Sequence, residues 1–221
     1  FLNYYDTMQE ALLQGVFGAV SATTNGGLDI TGASLVPFAD DYFVQFINMI
    51  LIILGAIGFP VLVELQEVLR GRVYGVNDRH KFSLFTKITT VTFFWLVLIG
   101  TLLIFLLEKN AFFADKSWHE TFFYSLFQSV TSRSGGLSTM DVSEFSVATL
   151  FLISALMFIG ASPSSVGGGI RTTTFAIMLL TIWNYAKGNS SVKVFGREIH
   201  QEDMLRSFIV ITTALMLCVG S

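Results

Sequence analysis

Cysteine is nearly absent from this sequence. Cys218 is the only one in 221 residues, so no disulfide can join two parts of the chain. It lies in an apolar run, where a thiol packs as a small hydrophobe. Charge is scarce as well. Lys and Arg number 13 and Asp and Glu 16, and the net charge of −3 gives no reason to propose nucleic acid as a partner. The three histidines, His80, His119 and His200, fall in separate loops with no ligand spacing, which argues against a metal site. No phosphate loop is present. Gly167-Gly168-Gly169-Ile170-Arg171-Thr172 lacks the Gly-Lys-Ser/Thr order and a preceding strand. What fills the chain instead is apolar: 52% of residues are hydrophobic and only 13% charged, the balance of a multi-span membrane protein rather than a soluble domain.

Taken in order, residues 6–20 read as a short helix that Asp6 or Thr7 caps. Its apolar core of about ten residues gives roughly 15 Å of helix, half a hydrocarbon core. Residues 23–27 break it, and residues 29–41 form a turn with Asp29, Asp40 and Asp41 but no Lys or Arg. Residues 42–65 read as one full span, which Pro60 is expected to kink. A basic loop over residues 70–81 follows, then a second span at residues 82–107. After a loop at residues 108–120, a second short helix covers residues 120–130, and residues 131–137 form a second Gly-bearing break. A third span begins at residues 146–159, is interrupted at residues 160–169, and resumes at residues 175–185. Residues 187–206 form a second basic loop, and residues 207–220 start another span, so the sequence reads as a section of a longer polypeptide.

The two basic loops hold most of the Lys and Arg, which places them in the cytoplasm. Both short helices then enter from outside, break and return outside. Non-helical backbone at that depth is tolerated only where protein buries it or it lines water. Gly26-Gly27-Leu28 and Gly135-Gly136-Leu137 occupy equivalent places in two copies of one unit: span, re-entrant pore helix, polar glycine loop, span. The copies share one orientation, so this is a parallel repeat. Units of this kind, four around an axis, point the partial negative C-termini of their pore helices at one centre, where loop carbonyls can replace a cation's water shell.

The residues that carry a family resemblance are Ser21-Ala22-Thr23-Thr24-Asn25-Gly26-Gly27-Leu28, Thr131-Ser132-Arg133-Ser134-Gly135-Gly136-Leu137 and Met157-Phe158-Ile159-Gly160-Ala161-Ser162. On these the chain resembles the Trk/Ktr/HKT superfamily of potassium transporters, in the manner of a KtrB-type membrane subunit. The resemblance implies an all-α polytopic membrane protein built of repeated span–re-entrant pore helix–span units around a pseudo-fourfold ion pore. It implies that residues 1–66 complete the second unit, residues 67–81 are a cytoplasmic loop, residues 82–186 are the third unit with a broken last helix, residues 187–206 are a cytoplasmic loop and residues 207–221 start the fourth. It implies potassium uptake across the cytoplasmic membrane, with sodium left open as activator or co-ion. Thr24, Asn25, Gly26, Gly27 and Leu28, with Ser134, Gly135, Gly136 and Leu137, become the selectivity-filter segments, and Gly27 and Gly136 their key glycines. Neither loop has the Thr-Val-Gly-Tyr-Gly filter of tetrameric channels. The interruption holding Gly160, Ser162, Pro163, Ser164, Ser165, Gly167, Gly168, Gly169 and Arg171 becomes an intramembrane gate. The implied partners are membrane lipid, a second copy in a homodimer and a cytosolic nucleotide-binding ring.

Two arginines stand out. Arg133 sits in a filter-like loop, where a cation is unfavourable, so it is expected to point away and brace the loop by pairing with Asp141 or Glu144. Arg171 either serves the ion path as an intramembrane charge or snorkels to the cytoplasmic face. The basic loops either set topology or dock a partner or anionic lipid. Two other function classes compete. Gly160-Ala161-Ser162 resembles a membrane serine protease loop, but that chemistry needs a base at membrane depth and every His is in a water-side loop. A secondary cation transporter with broken helices is the other, although such folds usually carry inverted repeats.

Overall fold

In a computed structural model, the described part of the protein comprises residues 4–73, 82–188, 192–195 and 197–220. Helix α1, Met8–Thr23, starts where the Thr7 side chain accepts from the Glu10 amide. Helix α5, Trp118–Thr131, starts at a complete capping box between Ser117 and Glu120. At 16 and 14 residues they are about 24 and 21 Å long, short of a hydrocarbon core of about 30 Å. Helix α4, Leu84–Glu108, has 25 residues and is the one continuous helix among the described residues long and apolar enough to cross a bilayer.

The expected single span over residues 42–65 is not one helix. It is α2, Tyr42–Ala56, and α3, Phe59–Val73, bent by 105° at Ile57–Gly58. Gly58 has φ +93°, open to glycine and strained for other residues, and a Cβ there would lie 2.5 Å from the Pro163 carbonyl oxygen. Pro60 therefore does not kink a helix. It sits in the first turn of α3, where a missing N–H costs nothing. Because α3 continues to Val73, it overruns the expected start of the cytoplasmic loop at residue 67, while Arg79, His80 and Lys81 lie outside the described residues.

The interrupted third span consists of α6, Val147–Phe158, and α7, Thr172–Ala186. The second basic loop is shorter than expected. Strands β1, Lys193–Val194, and β2, Arg197–Glu198, pair antiparallel, and α8, Gln201–Gly220, starts inside the expected loop. Glu202 and Asp203 in its first turn suit the positive end of a helix, and Arg206 pairs with Glu202 one turn on.

Helix α5 packs between α4 of its own unit and α2 of the preceding one, α1 lies on α2, and α4 also supports α6 and α7. Ala22, Ile52, Phe93, Phe127, Val130, Leu137 and Ala161 join these elements in one buried cluster. Glu108 is fully buried at the outer end of α4 and ties it to α6: its Oε1 accepts from the Ser146 amide at 2.9 Å and hydroxyl at 2.6 Å. The outer turns of the two units are also bonded to each other, Leu35 N–H to the Ser138 carbonyl and Ser138 N–H to Ser34 Oγ, both 2.9 Å.

Candidate ion-pathway site

Each short helix ends in a loop anchored by a hydroxyl from its own last turns. In the first, Ser21 Oγ donates to the Leu28 carbonyl at 2.7 Å and accepts from the Leu28 amide at 2.9 Å. In the second, Thr131 Oγ1 donates to the Leu137 carbonyl at 2.6 Å. The Ser21 carbonyl takes the Gly26 amide, and the Thr131 carbonyl takes the amides of Gly135 and Gly136. The carbonyls of Leu28 and Leu137 turn to their own short helices and are engaged there.

Between the anchors the two loops share a backbone pattern. Asn25 and Gly27 have φ of +49° and +62°, and Ser134 and Gly136 have +94° and +74°, whereas Gly26 and Gly135 between them are not left-handed. Alternating handedness turns successive peptide groups to a common side. The loops meet glycine to glycine: a Cβ on Gly27 would lie 2.8 Å from Gly136 Cα, and one on Gly136 would lie 2.9 Å from Gly27 Cα. Only glycine permits both the positive φ and this approach. No described residue donates a hydrogen bond to the carbonyls of Asn25, Gly26, Gly27, Ser134, Gly135 or Gly136. The Thr24 hydroxyl is turned back to the Val20 carbonyl at 2.8 Å.

Arg133 does not pair with Asp141 or Glu144. Its side chain has no exposed surface, its Nη2 donates to the Gly160 carbonyl at 2.7 Å, and its guanidinium lies 5.2 Å from the centre of the Phe93 ring. Asp141 is exposed and caps a 3₁₀ turn, accepting from the Ser143 hydroxyl at 2.6 Å and amide at 2.9 Å, contacts that hold its carboxyl below the usual carboxylate range. An acid already satisfied in water gains little by following a cation into the interior.

The interruption between α6 and α7 is a closed, internally bonded loop. The Ala161 amide donates to the Gly168 carbonyl at 3.0 Å, Ile170 N–H to the Phe158 carbonyl at 3.0 Å, and Arg171 Nη1 to the Gly167 carbonyl at 2.6 Å. Arg171 is thus a staple across the loop. The glycines serve close approach: a Cβ on Gly169 would lie 2.6 Å from Gly160 Cα. Ser165 Oγ donates to the Ser162 carbonyl at 2.5 Å. The loop fits into the break between α2 and α3. Ser162 N–H donates to the Ala56 carbonyl at 3.0 Å, and Phe59 N–H to the Ser164 carbonyl at 3.0 Å. Its other side meets the second glycine loop, where Ser134 Oγ accepts from the Gly168 amide at 3.1 Å.

Sequence reasoning assigned no anchoring or contact role in the site to Ser21, Thr131, Phe93, Gly58 or Glu108. The hydroxyls at the ends of both pore helices and the Gly58-Phe59-Pro60 string were signals in plain view, whereas Phe93 is one of 22 phenylalanines and carried none.

A family model described as TrkH, cation transport protein, matches residues 3–220. The chain belongs to the TrkH family of cation transport proteins. It is 60% identical to Ktr system potassium uptake protein D of Bacillus subtilis (strain 168) over 221 residues, which is 100% of this chain and 48% of that relative. To potassium/sodium uptake protein NtpJ of Enterococcus hirae it is 33% identical over 207 residues, 92% of this chain and 44% of the relative. The chain therefore spans about half the length of the curated relatives it matches. The crystal structure of the potassium transporter TrkH from Vibrio parahaemolyticus matches with a TM-score of 0.71 at 21% identity, covering 90% of this chain and 42% of that one, a likeness of fold. The TrkH fold is that of an all-α, multi-pass membrane protein with repeated pore units, and membership of a TrkH transport family ends the protease reading.

Proposed function

We propose that this chain supplies two of the ion-coordinating segments of a potassium uptake pathway across the cell membrane. The observation that carries this reading is the set of six carbonyls, Asn25 to Gly27 and Ser134 to Gly136, that have no donor among the described residues. Backbone carbonyls left without a protein donor are available to water or to a cation. A ring of them suits a dehydrated monovalent cation, and the C-termini of α1 and α5 add partial negative charge at the same place. Two further segments, from outside these 221 residues, complete the ring. The second unit is taken to run to the end of α3 at Val73 and the third over residues 82–186, with the fourth starting at α8 rather than at residue 207.

The loop at residues 160–171 acts as the gate below this point. A relative named as part of a Ktr system supports a membrane component that works with others, and the resemblance extends this to a homodimer on a cytosolic nucleotide-binding ring. Sodium is the second ion to examine, given a relative named for potassium and sodium uptake.

The test is rubidium and potassium uptake by the full-length protein in cells that lack other potassium uptake. The parent accumulates both, and Gly136→Ser loses its preference for potassium over sodium; an unchanged preference overturns the filter assignment. Removing residues 164–166 raises uptake. If the rate and its regulation stay as in the parent, the loop is not the gate.

A further inference from the structure

We propose that Arg133 and Ser134 form a latch that ties the intramembrane loop to the second glycine loop, so that displacement of the former alters the latter. This rests on the reading of the two segments as gate and filter, and adds the connection between them.

The latch grips the neck of the loop. Gly160 and Gly168 stand at its two ends and are joined through the Ala161 amide and the Gly168 carbonyl. Arg133 Nη2 holds the Gly160 carbonyl at 2.7 Å, and the next residue, Ser134, takes the Gly168 amide on Oγ at 3.1 Å. Gly167 closes the contact: a Cβ there would lie 2.9 Å from Ser134 Oγ. Any outward movement of the neck breaks both bonds, and both are made by residues of the ion-coordinating segment itself.

A fully buried guanidinium without a carboxylate is an expensive way to hold a glycine. Removing such a charge from water costs several kcal/mol unless it is paired. Three features offset this cost here: the partial negative end of α5 immediately before it, the face of Phe93, and the Gly160 carbonyl. Arg133 Nε and Nη1 have no partner among the described residues. The cation is thus held by one strong bond with capacity for others, an arrangement suited to exchanging acceptors when the loop shifts. Unit two has Thr24 at the matching position, and among the described residues its hydroxyl bonds only within its own helix, to the Val20 and Ser21 carbonyls.

Arg133 and Ser134 are positioning residues in this role, and the test reads loop release directly. In the full-length chain with Cys218 and any other cysteine changed to serine, Ser162→Cys places a thiol at a fully buried loop position. Its rate of modification by a small water-soluble thiol reagent reports release. Arg133→Met speeds modification about tenfold, the loss of one charge-assisted hydrogen bond. Ser134→Gly, which fits the left-handed backbone without repacking a buried cation, speeds it about threefold, the loss of one neutral bond. Arg133→Lys slows it back toward the parent. Modification rates unchanged in both Arg133→Met and Ser134→Gly overturn the latch, and Ser134→Gly alone decides by the same criterion if Arg133→Met does not fold. Failure of the filter reading is separate: it appears as unchanged potassium-over-sodium preference in Gly136→Ser.

Discussion

In the first glycine loop the residue before left-handed Asn25 is Thr24, whose hydroxyl folds back onto Val20 of its own helix. In the second, the residue before left-handed Ser134 is Arg133, which leaves its helix to reach Gly160. Backbone handedness and hydroxyl anchoring recur in both; the attachment to the rest of the molecule does not. The shared part is what a carbonyl ring requires of each contributor. In the unshared part, the second glycine loop is tied to the interrupted helix through Gly160, while α2 and α3 provide the break into which that loop fits.

The shared part breaks most severely at the glycines. Gly27→Ala and Gly136→Ala each force a side chain into a left-handed conformation and against the facing glycine, and potassium uptake by the full-length protein falls by roughly two orders of magnitude in each. Equal losses support equivalence of the loops; tolerance at one of the two sites shows that the loops do not share the task. Next come the anchors. Ser21→Ala loses two bonds to Leu28 and lowers stability by about 1–2 kcal/mol, whereas Thr131→Val loses one and lowers it by about 1 kcal/mol, measured as thermal unfolding of the purified full-length protein. A larger loss at Thr131 than at Ser21 contradicts this ranking. The smallest effect belongs to Thr24→Ala, which removes only hydrogen bonds to its own helix, a good one to Val20 and a long one to Ser21, and changes stability by no more than about 0.5 kcal/mol. A large loss of uptake there shows that Thr24 has a role its geometry does not reveal.

The pore helices were legible in the sequence because a half-length apolar run closed by Gly-Gly-Leu suits little besides a re-entrant segment, and its recurrence at matching positions strengthens that assignment. The bend at Ile57–Gly58 was not legible. Gly55, Gly58 and Pro60 are equally compatible with a tolerated kink, and what makes the bend stable is the Ser164 carbonyl, distant in the chain. The partner of Arg133 was misjudged for a related reason. Charge and proximity favoured Asp141, yet the acceptor is a backbone carbonyl, and no side-chain pattern announces which carbonyl will be free. In the sequence the glycines of residues 160–169 stand out only as part of an interruption implied to be a gate. They also serve contact, since Gly160 and Gly169 approach too closely for side chains. Sequence composition reports that small residues are required without saying whether for motion or for packing.

The bend between α2 and α3 has a consequence for biosynthesis. Among the described residues, the Phe59 amide and the Ala56 carbonyl find their partners in Ser164 and Ser162, which the ribosome makes much later. An unsatisfied backbone group in hydrocarbon costs several kcal/mol. At translation speeds of about 5–20 residues per second, that gap lasts roughly 5–20 s. Over that interval the newly inserted α2–α3 pair is an unfinished object in the bilayer, and whatever shelters it, lipid headgroups, water or the insertion machinery, has to lend a donor and an acceptor until the later segment arrives.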